Sequence, residues 1–258
     1  MSSYEQVRRV TPQAAVLLQN NPGPMTLDGT NTWLLGSGPS TVVVDPGQQD
    51  DAHLAALLAA AGEVELIVLT HRHFDHGEIA PALHEATGAP VVAADPALCL
   101  GAEPLTDGAV LSAAGVAVSV VATPGHTSDS VCLVLDSGPV LTGDSILGRG
   151  TTVVAHPDGE LGPYLDSLAR LRDLGERLVL TGHGPELPSL AAVATQYLAH
   201  RAERLDQVRA ALAVLGDEAT ARQIVEHVYA DVDRSVWWAA ELSVRAQLDY
   251  LASRGLAS

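Results

Sequence analysis

The sequence contains no lysine. All 14 basic residues are arginine, set against 31 acids, and the 258 residues carry a formal net charge of −17. Such an acidic chain is a poor match for a nucleic-acid backbone, whose binding rests on basic surface. Aromatics make up only 3%, with a single Phe, so a core has to be assembled from Ala, Val and Leu. With 47% apolar and 17% charged residues the chain still has the composition of a globular protein, not of a disordered one. No apolar run reaches the roughly 18 residues that read as a membrane helix. The polar start, with Arg8 and Arg9, lacks the apolar stretch of a signal peptide, which points to a cytoplasmic protein without a membrane partner. Cys99 and Cys132 form no Cys-x-x-Cys pair and read as two buried, reduced thiols. Solenoid repeats and low-complexity tracts are absent too.

Short Val- and Leu-rich runs bounded by Gly, Pro, Asn or Asp predict strands over 14–18, 32–35, 41–44, 66–69, 91–93, 116–121, 131–135, 140–142 and 178–180. Helices are predicted over 50–61, 77–87 and 162–174. Strands follow one another without a helix over 116–142, so the pattern favours a mixed sheet flanked by helices over an all-parallel one. From Pro188 onward the pattern turns helical: 191–215, stopped by Gly216, then 219–229 and 236–254, the last ending before Gly255. The charge changes there as well. Residues 1–199 hold 22 acids and seven arginines, whereas residues 200–258 hold nine and seven.

The densest chemistry is Thr70-His71-Arg72-His73-Phe74-Asp75-His76, placed between a predicted strand and a helix. Three imidazoles and a carboxylate in six residues suit Zn²⁺ and similar divalent ions, and a helix cap does not need three His. His71 and His73, two apart, can share one ion, with Asp75 and His76 facing a second. Three further groups each follow a predicted strand and adjoin a Gly: His126 in Pro124-Gly125-His126, Asp144 in Thr142-Gly143-Asp144, and His183 in Thr181-Gly182-His183. Any one of them alone reads as a turn. Together they bring the set to five His and two Asp, enough for two ions with room for water.

This set resembles the metallo-β-lactamase superfamily, over roughly residues 14–188. The resemblance implies a four-layer αβ/βα sandwich with a dinuclear site at its edge. It implies His71, His73 and His126 on one ion, Asp75, His76 and His183 on the other, and Asp144 bridging. Asp45, in Val44-Asp45-Pro46-Gly47, matches the family's early strand-end Asp, which lies beneath the site and orients ligands. Asn21-Pro22-Gly23-Pro24-Met25-Thr26-Leu27-Asp28-Gly29-Thr30-Asn31-Thr32 and the tail from His200 are similar to the β-lactamase-like protein 2 subfamily, whose tail is winged-helix-like. The expected division is a catalytic domain over 1–195 and a small α-helical, winged-helix-like domain over 196–258.

Two ions can jointly acidify a bound water, which then attacks a carbonyl or phosphoryl centre. The expected activity is therefore hydrolysis, with Asp75 both holding metal and orienting the nucleophile, and no Gly-x-Ser-x-Gly competes for that role. Two Zn²⁺ are the default for these ligands, and Mn²⁺ or Fe²⁺ also fit. The acidic charge favours a small-molecule ester or thioester, as in the glyoxalase II-like branch, with Arg149, His156 and Tyr164 as candidate substrate contacts. An endoribonuclease acting on single-stranded RNA is the alternative: Arg201, Arg204, Arg209, Arg222 and Arg245 could line a strand and Trp237-Trp238 could stack bases. Those arginines equally suit a helical cap or a homodimer surface. A binding or oligomerisation protein with a remnant site is the third reading, opposed by seven intact ligands. His53, His84, His200 and His227 fall on predicted helices and read as surface or half-buried.

Overall fold

The computed structural model describes residues 4–230 and 233–255. Its first sheet runs, in spatial order, β1 (Val7–Thr11), β2 (Ala14–Leu18), β3 (Asn31–Leu35), β4 (Ser40–Val44), β5 (Glu63–Val68) and β6 (Val91–Val92). Pairing is antiparallel as far as β4 and parallel from β4 to β6. The parallel connections are helical. α1 (Asp51–Ala61) joins β4 to β5, while α2 (Phe74–Gly77) and α3 (Ala80–Thr87) join β5 to β6. The second sheet comprises β7 (Val110–Ala113), β8 (Val116–Ala122), β9 (Val131–Leu135), β10 (Val140–Gly143) and β11 (Val179–Thr181), ordered β11-β10-β9-β8-β7, with only β10 and β11 parallel.

Side-chain alternation along the strands divides the core in two. Trp33, Leu35, Val42 and Val44 pack with Val118, Val120, Leu133 and Leu135 between the sheets. Leu34, Val43 and Ile67, pointing the other way, pack with Leu57 of α1 and Leu83 of α3. The parallel strands β4 and β5 and the parallel pair β10 and β11 each end in a loop that carries site residues.

Packing divides the chain into two compact units. One holds the residues up to Ala122 together with Asp129–Gly150 and Arg177–Ser189, and so contains both sheets. The other joins Thr123–Ser128 and Thr151–Glu176 to the chain from Leu190 onward. It contains α4 (Leu161–Asp173), α5 (Leu190–Leu215), α6 (Ala221–Val228) and α7 (Trp237–Ser253), with α4 against α5 and α6 against α7. A division at 195/196 would cut α5 one and a half turns in. The compact boundary on that side is the start of the helix, and α4 groups with the tail although it precedes β11.

Most predicted elements form within a residue or two of their expected limits. The unpredicted strands, β1 and β7, are each an outer strand of their sheet. An edge strand is supported on one side only and tolerates charge, so β1 carries Arg8 and Arg9 and lacks an apolar run. The helix expected over 77–87 starts only at Ala80, after a separate short helix that ends at Gly77, because Pro81 has no N–H to bond the Gly77 carbonyl and α3 begins afresh with that proline in its first turn. Cys132 is buried, but Cys99 is half-buried, and no disulfide joins them. Among the described residues no helix is long and apolar enough to cross a membrane.

Candidate metal centre

The site is assembled on the strand ends of the two-sheet unit. Asp45 directly follows β4, and the His71–His76 run follows β5. Asp144 directly follows β10, and His183 stands two residues past β11. Two glycines make this convergence possible. A Cβ on Gly182 would lie 2.7 Å from Asp144 Oδ1 and 2.9 Å from His76 Cε1. Gly143 has φ +47°, and a Cβ there would lie 2.5 Å from Thr70 Oγ1.

Hydrogen bonds beneath the site fix which nitrogen of each ring faces inward. The buried Asp45 carboxylate accepts from Thr70 N at 2.8 Å, from Thr70 Oγ1 at 2.7 Å and from His76 Nδ1 at 2.9 Å. The Thr70 hydroxyl gives its proton to Asp45, so at 3.0 Å it accepts from His71 Nδ1. His183 Nδ1 donates to the Gly29 carbonyl at 3.1 Å. His71, His76 and His183 therefore all turn an Nε2 lone pair inward, as metal-binding imidazoles do. Of these, the His76 and His183 Nε2 atoms lie 3.1 Å apart, and His71 Nε2 lies 3.1 Å from His73 Nδ1. Asp75 Oδ2 is 3.2 Å from His183 Nε2, and Asp144 Oδ1 is 3.4 Å from His76 Nε2.

Within the two-sheet unit, two groups with metal-ligand spacing result: Asp75, His76 and His183, and His71, His76 and Asp144. Burial disfavours charge on the acids and on His76 and His183, and is the largest single influence on each. Mutual attraction outweighs it. His183 and His76 hold the Asp144 carboxyl well below 3.8, and the hydrogen bond from His183 lowers Asp75. Asp144 and Asp45 raise His76 well above 6.5, and Asp144 raises His183. Lone pairs crowded this closely, ringed by carboxylates, need protons or cations between them. The donor set fits divalent metal.

His126 belongs to the helical unit, where its Nδ1 donates to the Val153 carbonyl at 2.7 Å and leaves Nε2 with the lone pair. Arg149 pairs with Asp28 beside a cavity of about 560 Å³ that Asn31 and Gly184 also line, so its charge is already met. His156 is half-buried and joins no ligand group among the described residues. Tyr164 is fully buried in α4 with the Arg201 guanidinium 5.1 Å from its ring centre, which corrects its expectation as a substrate contact. His53 is fully buried as well, not at the surface. Sequence reasoning missed its link through Thr32 to Asp45. A signal was present: His53, Leu57 and Ala61, four apart, form the buried face of α1.

Residues 25–183 match the metallo-beta-lactamase superfamily. The chain belongs to that superfamily. Residues 220–258, which hold α6 and α7, match the beta-lactamase associated winged helix domain. A beta-lactamase-like protein 2 homolog of Caenorhabditis elegans is 31% identical over 269 residues, covering 99% of this chain and 90% of the relative. An atrochrysone carboxyl ACP thioesterase of Aspergillus fumigatus is 34% identical over 215 residues, covering 79% of this chain and 66% of the relative. Among solved structures, a metallo-beta-lactamase family protein from Thermus thermophilus superposes with a TM-score of 0.81 at 25% identity, covering 95% of both chains. The two-sheet α/β fold with C-terminal helices is that of the superfamily.

Proposed function

We propose that this chain is a metal-dependent hydrolase that carries two divalent ions, zinc by default, and cleaves an ester or thioester of a small molecule. The observation that carries the reading is the inward convergence of His71, His76 and His183 Nε2 with the Asp75 and Asp144 carboxylates. His73 and His126 would complete the first ion's ligands, Asp75, His76 and His183 would hold the second, and Asp144 would bridge. Bound there, the ions would acidify water toward neutral pH and polarise an acyl carbonyl. Asp75 would both hold metal and orient the attacking water. Asp45 and Thr70 keep the His71 and His76 lone pairs aimed. The named thioesterase among the relatives supports a thioester.

An RNA-cleaving role draws less support from the helical unit. Arg201 is buried and donates to the Thr152 carbonyl. Arg209, Arg222 and Arg245 each pair with an acid on their own helix, and Arg204 bonds Gln207 and stacks on Tyr229. Trp237 is buried against Arg222 and Arg234.

The test is turnover of a panel of acyl thioesters and esters by zinc-loaded protein, with single-stranded RNA alongside, a chelator control and the Asp75→Ala variant. Thioester or ester cleavage lost with chelator and with the variant is expected. Metal-loaded protein that cleaves RNA alone, or turnover indifferent to chelator, would overturn the reading.

A further inference from the structure

His53 is a buried titratable side chain outside the ligand set. Its Nε2 lies 3.0 Å from Thr32 Oγ1 and its Nδ1 lies 2.6 Å from Glu5 Oε2. The partners dictate where the protons sit. The Asp45 carbonyl, 2.8 Å from Thr32 Oγ1, can only accept, so the Thr32 hydroxyl donates to it. The Thr32 oxygen then accepts from His53, whose Nε2 carries a proton. On the opposite side a second proton must lie between Nδ1 and the Glu5 carboxylate. His53 is thus tied on both sides, to the Thr32 hydroxyl through Nε2 and to the Glu5 carboxyl group through Nδ1. Glu5 is itself anchored, because its other oxygen takes the Asn20 N–H at 3.0 Å and its own N–H bonds the Leu18 carbonyl at 3.0 Å.

Asp45 needs such support. Its φ is +52°, a conformation that costs energy for any residue with a Cβ and persists only where the surroundings over-determine it. The Asp45 N–H bonds the Val68 carbonyl at 2.9 Å, and its own carbonyl is held by Thr32. That backbone twist aims the carboxylate at Thr70 and His76.

We infer that the Glu5–His53 pair positions the metal centre: through the Thr32 hydroxyl it locks the Asp45 main chain, and through Asp45 it fixes the imidazole of His76. This rests on reading the centre as a metal site. A space-filling role for His53 would require neither a carboxylate at position 5 nor a hydroxyl at position 32.

The test combines nitrogen-15 NMR of the His53 ring in metal-free protein with zinc affinity by chelator competition, for the wild type, Glu5→Gln, Thr32→Val and Thr32→Ser. In the wild type both His53 nitrogens are expected to be protonated, and in Glu5→Gln only one. Thr32→Val keeps the side-chain volume and is expected to weaken the less tightly held ion by roughly 10–100-fold. Glu5→Gln should produce a smaller loss in the same direction, and Thr32→Ser should restore wild-type affinity. Wild-type zinc binding in both Thr32→Val and Glu5→Gln would overturn the inference. So would Thr32→Ser binding as weakly as Thr32→Val, since volume and not the hydroxyl would then matter. A wild type that takes up no ion would overturn the metal-site reading and this inference together.

Discussion

His76 Nε2 faces His183 Nε2 across 3.1 Å, with the Asp75 and Asp144 carboxylates beside them. Two neutral imidazoles presenting lone pairs to each other at that distance repel. In the metal-free protein a proton must relieve the contact, and in the loaded protein a metal ion would.

That competition fixes the sign of a pH effect. His76 and His183 are raised above 6.5, so their attraction for Asp144 stabilises the metal-free fold fully below pH 6.5 and is lost as pH rises through the raised values. Asp75 and Asp144 are held below 3.8, so their contribution is present above pH 3.8 and is lost as pH falls through the lowered values. Metal binding displaces the imidazole protons and strengthens as pH rises. Thermal scans of metal-free and zinc-loaded protein between about pH 6 and about pH 8.5 should show the metal-free Tm falling and the gap between the two forms widening. A metal-free Tm that climbs over this range would contradict the assignment.

Asp45→Asn isolates the carboxylate beneath the site. Asn tolerates the left-handed backbone that Asp45 adopts, so the chain turn should survive. One of the two acceptor oxygens is lost: either the Thr70 N–H loses its acceptor at Oδ1, or Thr70 Oγ1 and His76 Nδ1 both lose theirs at Oδ2. Zinc affinity is expected to drop roughly 10–100-fold. Asp45→Ala should add a stability loss of about 1–3 kcal/mol from buried donors left unpaired. Chelator competition and thermal melts read the two effects separately.

Gly182→Ala places a Cβ against Asp144 Oδ1 and His76 Cε1. Because both contacts are with side chains of the candidate ligand groups, the expected outcome is loss of bound metal with little change in far-ultraviolet circular dichroism. Full occupancy by elemental analysis would mean that the loop yields more than its geometry suggests.

In the helical unit, Trp237 is 5% exposed and its neighbour Trp238 is 52% exposed. Trp237→Ala should destabilise that unit by about 3–5 kcal/mol. Trp238→Ala should stay within about 0.5 kcal/mol, as surface changes do. Denaturant titration distinguishes them, and equal losses would mean that Trp238 is covered in solution.

The ligand cluster was legible in the sequence because metal chemistry demands rare residue types at strand ends, and composition cannot disguise three His and an Asp in six residues. Central strands were legible because burial on both faces writes unbroken Val and Leu runs. β1 and β7 were not, since both are outer strands with little burial: Arg8 and Arg9 interrupt β1, and Ser112 breaks the apolar run of the half-exposed β7. Arg149 and Tyr164 show the other limit. A charge near a ligand in sequence was met by Asp28, and a tyrosine near the site in sequence lies under Arg201. The structural link from His53 to Asp45 joins residues from different elements, and no spacing rule encodes a side chain meeting a hydroxyl 21 residues away.

Asp45 and the His71–His76 run hang from the first sheet, whereas Asp144 and His183 hang from the second. Ions held between them would pin the two sheets together at one edge, and free energy of binding would become free energy of closure. Starved of metal, that edge would open first, exposing strand ends to proteases. The lifetime of the chain in a cell would then track metal supply, with degradation reporting scarcity before catalysis does.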